Sequence, residues 1–208
     1  MQFTTTAVSR LLAAGFIALC TALPSAAQNT GAVAVVDHLH GALLGIMRDA
    51  KGLGFAGRRE QIAPVIEESF DLPFITRFSL GRYWADLSVE QQKAIVAVFS
   101  RWTIANYASR FNDYSGEQFE TVSSEPAPRG RELVRTVLKV NSDPADTVRL
   151  DYLLQEEKGM WRIVNVIANG VSDLSLKRAD YGAVLKAQGL DSLIEKLDAQ
   201  IGDFQAKS

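Results

Sequence analysis

The chain has 208 residues, 22 basic and 24 acidic side chains, a formal net charge of −2 and 47% hydrophobic residues. That length allows a substantial core, and the charge balance lacks the basic surplus that nucleic-acid binding requires. The single cysteine, Cys20, excludes multi-cysteine zinc sites and internal disulfides.

The N-terminus reads as an export signal. Arg10 precedes an apolar run from Leu11 to Leu23, followed by Pro24 and the small residues Ser25, Ala26 and Ala27. Charge, short apolar segment and small residues, in that order, are what a signal peptidase recognises. The run is 13 residues long, whereas a membrane span needs roughly 20. Cys20 follows Leu19, where a lipid-attachment signal requires a small side chain, so the expected product is periplasmic and unlipidated. Cleavage after Ala27 removes one basic residue, Arg10, and leaves 181 residues with 21 basic against 24 acidic. Residues 28–208 are expected to form one domain.

Val33 to Lys51 carries Val36, Leu39, Leu43 and Met47 at helical spacing. Gly52 to Gly57 is expected to break that helix as a flexible loop. Glu60 to Phe70 reads as a second, short helix with Pro64 in its early part. Asp71 can cap a third, with Pro73 tolerated in its first turn, running toward Trp84. Ser88 and Gln91 form a capping-box pattern that opens the longest helix, to about Phe111. That helix presents Ile95, Phe99, Trp102 and Asn106 along one stripe, with Val98 and Ala105 beside it.

After Gly116 the period changes from helical to alternating. Gln118 to Ser123 is a weak strand. In Glu132 to Val140, Val134, Leu138 and Val140 oppose Arg135 and Lys139. Asn141 to Pro144 is turn chemistry. In Thr147 to Leu154, Val148, Leu150, Tyr152 and Leu154 oppose Arg149 and Asp151. Met160 to Ile167 is apolar on both faces, with Trp161, Ile163 and Ile167 on one and Met160, Val164 and Val166 on the other. The remainder is helical, with Gly189 as a stop and Asp191 as a new start. Short turns between strands imply antiparallel neighbours. The expected fold is α+β, with helices packed on one face of a curved, roughly four-stranded antiparallel sheet enclosing an apolar cleft.

Catalytic and metal-binding signals are weak. Gly52-Leu53-Gly54-Phe55-Ala56-Gly57 spells a dinucleotide fingerprint, but that motif needs a strand entering and a helix leaving, and here a helix enters. His38 and His40, the only histidines, point about 200° apart on a helix and cannot share a metal unaided, so solvated or packing roles are expected. No G-x-S-x-G occurs. The acidic pairs Glu67-Glu68 and Glu156-Glu157 are sequence neighbours and read as solvated surface. No enzyme, metal or cofactor is expected.

The aromatic inventory is concentrated. Phe70, Phe74, Phe78, Tyr83, Trp84, Phe99, Trp102, Tyr107 and Phe111 fall in two consecutive predicted helices. They fit a filled core or the lining of a hollow one, and the pattern alone does not separate the two.

Three stretches taken together carry a family resemblance: FDLPFITRFSLGRYW (Phe70 to Trp84), SVEQQKAIVAVF (Ser88 to Phe99), and the long segment from Val148 to Leu197. They resemble the periplasmic lipid-binding component of the Mla (maintenance of lipid asymmetry) pathway, also called the toluene-tolerance auxiliary family. The likeness is weakest before Gln61 and around Ser123 to Arg131. Ala105 to Gly116 and the LKRADY stretch are more similar to the branch associated with hopanoids. The resemblance implies a monomeric carrier whose cargo is a phospholipid or hopanoid. Its implied partners are an inner-membrane ABC transporter with a lipid-channel ring and an outer-membrane lipoprotein–porin complex. With the strand faces above, it places the cleft lining at Phe74, Phe78, Tyr83, Phe99, Trp102, Tyr107, Val134, Leu138, Val148, Leu150, Tyr152, Trp161, Ile163 and Ile167. Two other readings stay open at this point. One is a cone-shaped α+β enzyme using Asp151 or Tyr152 on a hydrophobic molecule, although these residues lie on opposite faces of one strand. The other is a chaperone-like assembly factor.

Overall fold

The computed structural model describes residues 31–140 and 147–207. The leader and the Asn141 to Pro144 turn lie outside the described residues. Helix α1 (Ala32–Arg48) buries Val36, Leu39, Leu43 and Met47, the stripe expected from their spacing, together with His40. Helix α2 (Ala50–Ser69) follows almost at once. The Gly52 to Gly57 stretch is therefore no loop. It is helical apart from Gly54, whose φ of 57° and ψ of −175° kink the chain, a conformation open essentially only to glycine. Pro64 consequently lies inside a helix instead of near its start. It is exposed, so water can reach the backbone carbonyl its missing N–H leaves unpaired.

Helix α3 (Leu72–Leu80) is capped by Asp71, whose carboxylate accepts from the Phe74 N–H at 2.9 Å. It stops before Trp84 because Gly81, at φ 59°, turns the chain into a single 3₁₀ segment, Gly81–Asp86. The capping box of α4 (Val89–Arg110) is closed in both directions. The Ser88 N–H donates to Gln91 Oε1 at 2.9 Å, and the Gln91 N–H donates to Ser88 Oγ at 3.2 Å. Helix α5 (Asp173–Ala206) is bent at Gly189, φ 84°, where the sequence marks a stop and restart.

Between α4 and α5 lies one antiparallel sheet of β1 (Gln118–Ala127), β2 (Arg131–Lys139), β3 (Thr147–Glu157), β4 (Met160–Ala168) and the two-residue β5 (Val171–Ser172), in that spatial order. Strand β5 is additional to the four expected, and β1 runs past Ser123. Val134, Tyr152 and Val166 are cross-strand neighbours, as are Thr136, Leu150 and Ala168. This face meets the helices, as the β3 alternation predicts, and Val134, Tyr152, Leu154 and Ile163 are buried there with Leu39, Ile66, Phe99 and Leu193. Helix α1 lies across β1 to β4, while α2, α3 and α5 meet β4.

Strand β4 departs from strict alternation. Leu153 pairs with Asn165 but Leu154 pairs with Ile163, so Val164 is an extra residue in a β-bulge. Beyond it the faces exchange. Ile163 and Val164 are both buried, Val166 and Ala168 lie on the helix side, and Ile167 pairs with Asp151 on the opposite face. No described helix is long and apolar enough to cross a membrane.

Candidate functional site

The helices do not fill the space above the sheet. A cavity of about 720 Å³ remains between α3, α4, α5 and strands β2 to β4, within the range typical of ligand sites. Phe70, Leu72 and Ile75 come to it from the α2–α3 corner. Phe99, Trp102, Tyr107 and Phe111 come from α4, Leu138, Val148, Leu150 and Tyr152 from β2 and β3, and Val164, Val166 and Ala168 from β4. Leu174 and Phe204 come from opposite ends of α5. Trp102 holds the wall together: its ring lies 6.0 Å from Phe99 and 6.1 Å from Phe204, and its indole N–H donates to Gln200 Oε1 at 2.8 Å.

The polar groups in the walls are few, and most have partners. Thr103 Oγ1 donates to the Phe99 carbonyl at 2.9 Å, and Asn165 Oδ1 accepts from the Ser172 hydroxyl and the Leu174 N–H, both at 3.2 Å. The Tyr152 hydroxyl meets His40 Nε2 at 3.0 Å, and the imidazole stacks on Phe119 at 3.9 Å. Burial pushes His40 down to about 4 and the Tyr152 phenol well up, so both are neutral at pH 7. Burial, then Tyr152 and Asp173, also raise Tyr107. Asp151 is buried on the other side of the sheet, with Arg135 Nη1 at 3.3 Å and Arg149 Nε at 3.4 Å from Oδ2. Tyr152 thus enters the cavity wall and Asp151 does not. His38 is exposed, 4.0 Å from Glu68. Among the described residues no three His, Cys, Asp or Glu side chains converge as metal ligands.

The profile of the MlaC protein family matches residues 37–199, most of the chain. The chain belongs to the MlaC family. A curated relative, the intermembrane phospholipid transport system binding protein MlaC of Haemophilus influenzae, is 22% identical over 121 residues. That alignment covers 57% of this chain and 56% of the relative, little more than half of each. A solved structure of a phospholipid-binding protein from Ralstonia solanacearum, in complex with a phospholipid, superposes with a TM-score of 0.71 at 20% identity. It covers 84% of this chain and 97% of that one, so the two share the fold.

Within this MlaC-family fold the residues named from sequence divide into two groups. Phe99, Trp102, Tyr107, Leu138, Val148, Leu150 and Tyr152 line the cavity. The others do not. Phe78 is exposed, and Phe74 and Tyr83 are only partly buried at the edge of the core, because Ile75, Thr76 and Ser79 occupy the inward side of α3. There they carry arginines. Arg77 and Arg131 stack on Phe74 at 5.7 and 5.4 Å, Arg178 on Phe78 at 5.0 Å and Arg82 on Tyr83 at 5.0 Å. Val134 and Ile163 belong to the filled core. Trp161 is half-buried at the far end of β4, opposite Glu156. Ile167 is turned to the outer face by the bulge at Val164.

Sequence reasoning missed the α5 contribution, Asp173, Leu174, Lys177, Gln200 and Phe204. Leu174 and Phe204 stand 30 positions apart on one long helix, and no local period joins them. It also missed Val164, Val166 and Ala168. The one signal for them is that β4 is apolar on both faces, where a bulge is harmless to burial.

Proposed function

We propose that this chain is an exported periplasmic lipid carrier, its first 27 residues removed as a signal and residues 28–208 forming one lipid-binding domain. It takes acyl chains, or the ring system of a hopanoid, into the cavity between helices and sheet. It moves them through the periplasm between an inner-membrane ABC transporter with a lipid-channel ring and an outer-membrane lipoprotein–porin complex. The observation that carries this reading is the 720 Å³ cavity with a largely aromatic and aliphatic wall, in a chain of the MlaC family. The two similar proteins whose names specify a phospholipid support it.

The physical need is plain. A diacyl lipid carries about 30 methylenes at ~0.8 kcal/mol each, so its transfer into water is of order 20 kcal/mol uphill. A carrier must replace the membrane with an apolar sleeve, and the wall from Phe99 to Phe204 supplies one. Hydrocarbon offers no hydrogen bonds, so tail selectivity is set by shape and is loose. No reaction is assigned to the chain, since the cavity's phenol Tyr152 is already engaged by a neutral histidine and the nearby carboxylate Asp151 faces away. Protein purified from the periplasm without detergent is expected to yield about one lipid per chain on solvent extraction and mass spectrometry. An empty protein that also takes up nothing from phospholipid or hopanoid-containing vesicles would overturn the reading.

A further inference from the structure

The arginines around Phe74 and Phe78 form one connected strip. Arg77 of α3 and Arg131 at the start of β2 both stack on Phe74, at 5.7 and 5.4 Å. The Phe74 ring stacks in turn on Phe78 at 6.0 Å, and Arg178 of α5 covers Phe78 at 5.0 Å. The Arg178 guanidinium lies against Gly81, where a Cβ would come within 3.2 Å of Nη2. Arg82 follows, stacked on Tyr83 at 5.0 Å and donating to its hydroxyl at 3.1 Å. Residues of α3, the 3₁₀ segment, β2 and α5 thus meet in a single run of contacts. The other ring-stacked arginines stand singly, Arg48 on Tyr114 and Arg59 on Phe55.

The four guanidinium groups of the strip lack anions. None of them joins an ion pair among the described residues. The hydrogen-bond partners of Arg131 and Arg82 are neutral, Gln155 Oε1 and the Tyr83 hydroxyl. Arg135 and Arg149, by contrast, share Asp151. A ring under a guanidinium plane leaves the N–H edges free to donate, and those edges match phosphate oxygens in pairs. Arg77, Arg82 and Arg178 are exposed, and so is Phe78, at 39%, a large apolar ring set among cations. The chain as a whole carries a net charge of −2, so an anionic surface repels most of it and attracts this strip, which fixes the side that approaches. A bilayer rich in anionic lipid offers both things the strip is built to meet, a field of phosphates and a headgroup layer that accepts aromatic rings.

We propose that Arg77, Arg82, Arg131 and Arg178, carried on Phe74, Phe78 and Tyr83, form a docking strip for the phosphate surface of an anionic bilayer. None of these residues lines the cavity, so docking goes beyond the carrier reading and holds whatever the cavity contains. Helices α3 and α5 carry part of the strip and, through Leu72, Ile75, Leu174 and Lys177, part of the cavity wall. The molecule therefore docks with the α3–α5 side of the cavity nearest the membrane. The attraction is electrostatic, so it is reversible and sensitive to salt.

Vesicle flotation at two salt concentrations tests the strip. Protein purified from the periplasm without detergent is mixed with vesicles of equal parts dioleoylphosphatidylglycerol and dioleoylphosphatidylcholine, or of the phosphatidylcholine alone. At about 50 mM NaCl the wild type is expected to bind the anionic vesicles at least tenfold more strongly, and to lose most of that preference at about 500 mM, where screening shortens the reach of surface charge. A basic side chain near such a surface is worth about fivefold in binding, so Arg77→Gln with Arg178→Gln is expected to weaken it at least tenfold. Arg77→Lys with Arg178→Lys keeps the charge and is expected to stay within threefold of the wild type. Arg48→Gln with Arg59→Gln removes the same charge from exposed positions elsewhere, and is expected to stay within threefold as well. Circular dichroism of all three variants is expected to match the wild type. Equal binding of the wild type to both kinds of vesicle overturns the strip. So does an equal loss in the two glutamine variants, which assigns the attraction to net charge alone. Wild type that binds no anionic vesicle overturns it too, and leaves the arginines to the acidic face of a protein. Wild type that floats with anionic vesicles while its cavity yields and takes up no lipid defeats the carrier reading and leaves the strip standing.

Discussion

His40 and Tyr152 show how much one residue pair decides about the behaviour of the cavity floor. The imidazole is buried against Phe119, with the Tyr152 hydroxyl as its partner, and burial lowers its pKa from 6.5 to about 4. A histidine held neutral in the folded state and free to protonate in the unfolded one makes stability pH-dependent. Its contribution is fully present above pH 6.5 and is lost as pH falls through about 4, for a total of at most about 3 kcal/mol. Urea titrations at pH 7.5 and pH 5 are expected to show the wild type clearly weaker at pH 5. His40→Leu should be weaker at pH 7.5, by about 1–3 kcal/mol from the unpaired Tyr152 hydroxyl, and should show a smaller acid loss, so that the gap narrows or closes at pH 5. An equal acid loss in the two proteins would place the titrating group elsewhere. Arg58 is buried with no counter-ion among the described residues. Its guanidinium is buried and donates to the Ala108 carbonyl in the last turn of α4 and to the Ala50 carbonyl before the α2 kink, both at 2.9 Å.

Among the elements, α2 depends on a backbone feature that its composition obscures. Gly54 sits at φ 57°, and the space that a Cβ would occupy there is open, so any penalty of a side chain is conformational and not steric crowding by neighbours. Gly54→Ala is expected to cost about 1–3 kcal/mol. Gly45, exposed in the middle of α1 with nothing near a Cβ, is the opposite case, and Gly45→Ala should stabilise by about 0.5–1 kcal/mol. Thermal melts of the two variants check both signs. The cap of α4 is a third element-level device. Ser88→Ala removes the acceptor of the Gln91 N–H and should cost about 1 kcal/mol, with little effect on cavity binding because Ser88 lies at the end of α4 remote from Tyr107 and Arg110.

At the scale of the whole molecule, the question is whether the space above β3 is hollow in solution. Leu150 lines the cavity and is only half-buried, so an arginine in its place has room to direct its head toward solvent. Leu150→Arg is expected to remain folded by circular dichroism and to lose most of its bound lipid. Arg149 is a poor control on the opposite face, because it is one of two cations that neutralise buried Asp151. Val137, which pairs with Arg149 on that outer face, serves instead, and Val137→Arg should leave lipid occupancy unchanged. If Leu150→Arg is folded and fully loaded, β3 has been assigned the wrong lipid-facing side.

Local chemistry was enough to read most of the elements. The α1 stripe, the Asp71 cap, the Ser88–Gln91 box and the alternation of β3 are each set by neighbours within a few residues, and the structure reproduces them. The same periods held Phe99, Trp102, Leu138, Val148, Leu150 and Tyr152 of the cavity wall, but the α4 stripe left out Thr103, Arg110 and Phe111. What escaped is what a period cannot carry. An extra residue in β4 reverses the faces after Val164, since strand alternation holds only while register does. Phe74 and Phe78 are as apolar as core residues, yet on α3 they sit beneath Arg131 and Arg178, which are far away in the chain. The two ends of α5 close on Trp102 only because Gly189 bends the helix and α4 packs along it. Sequence by itself determined the elements, their caps and the inward face of the central strand, because each follows from contacts a few residues long. Only the tertiary structure decided that the core is hollow and that both ends of α5 help to wall it, because a cavity is the space left between elements and no single element encodes it.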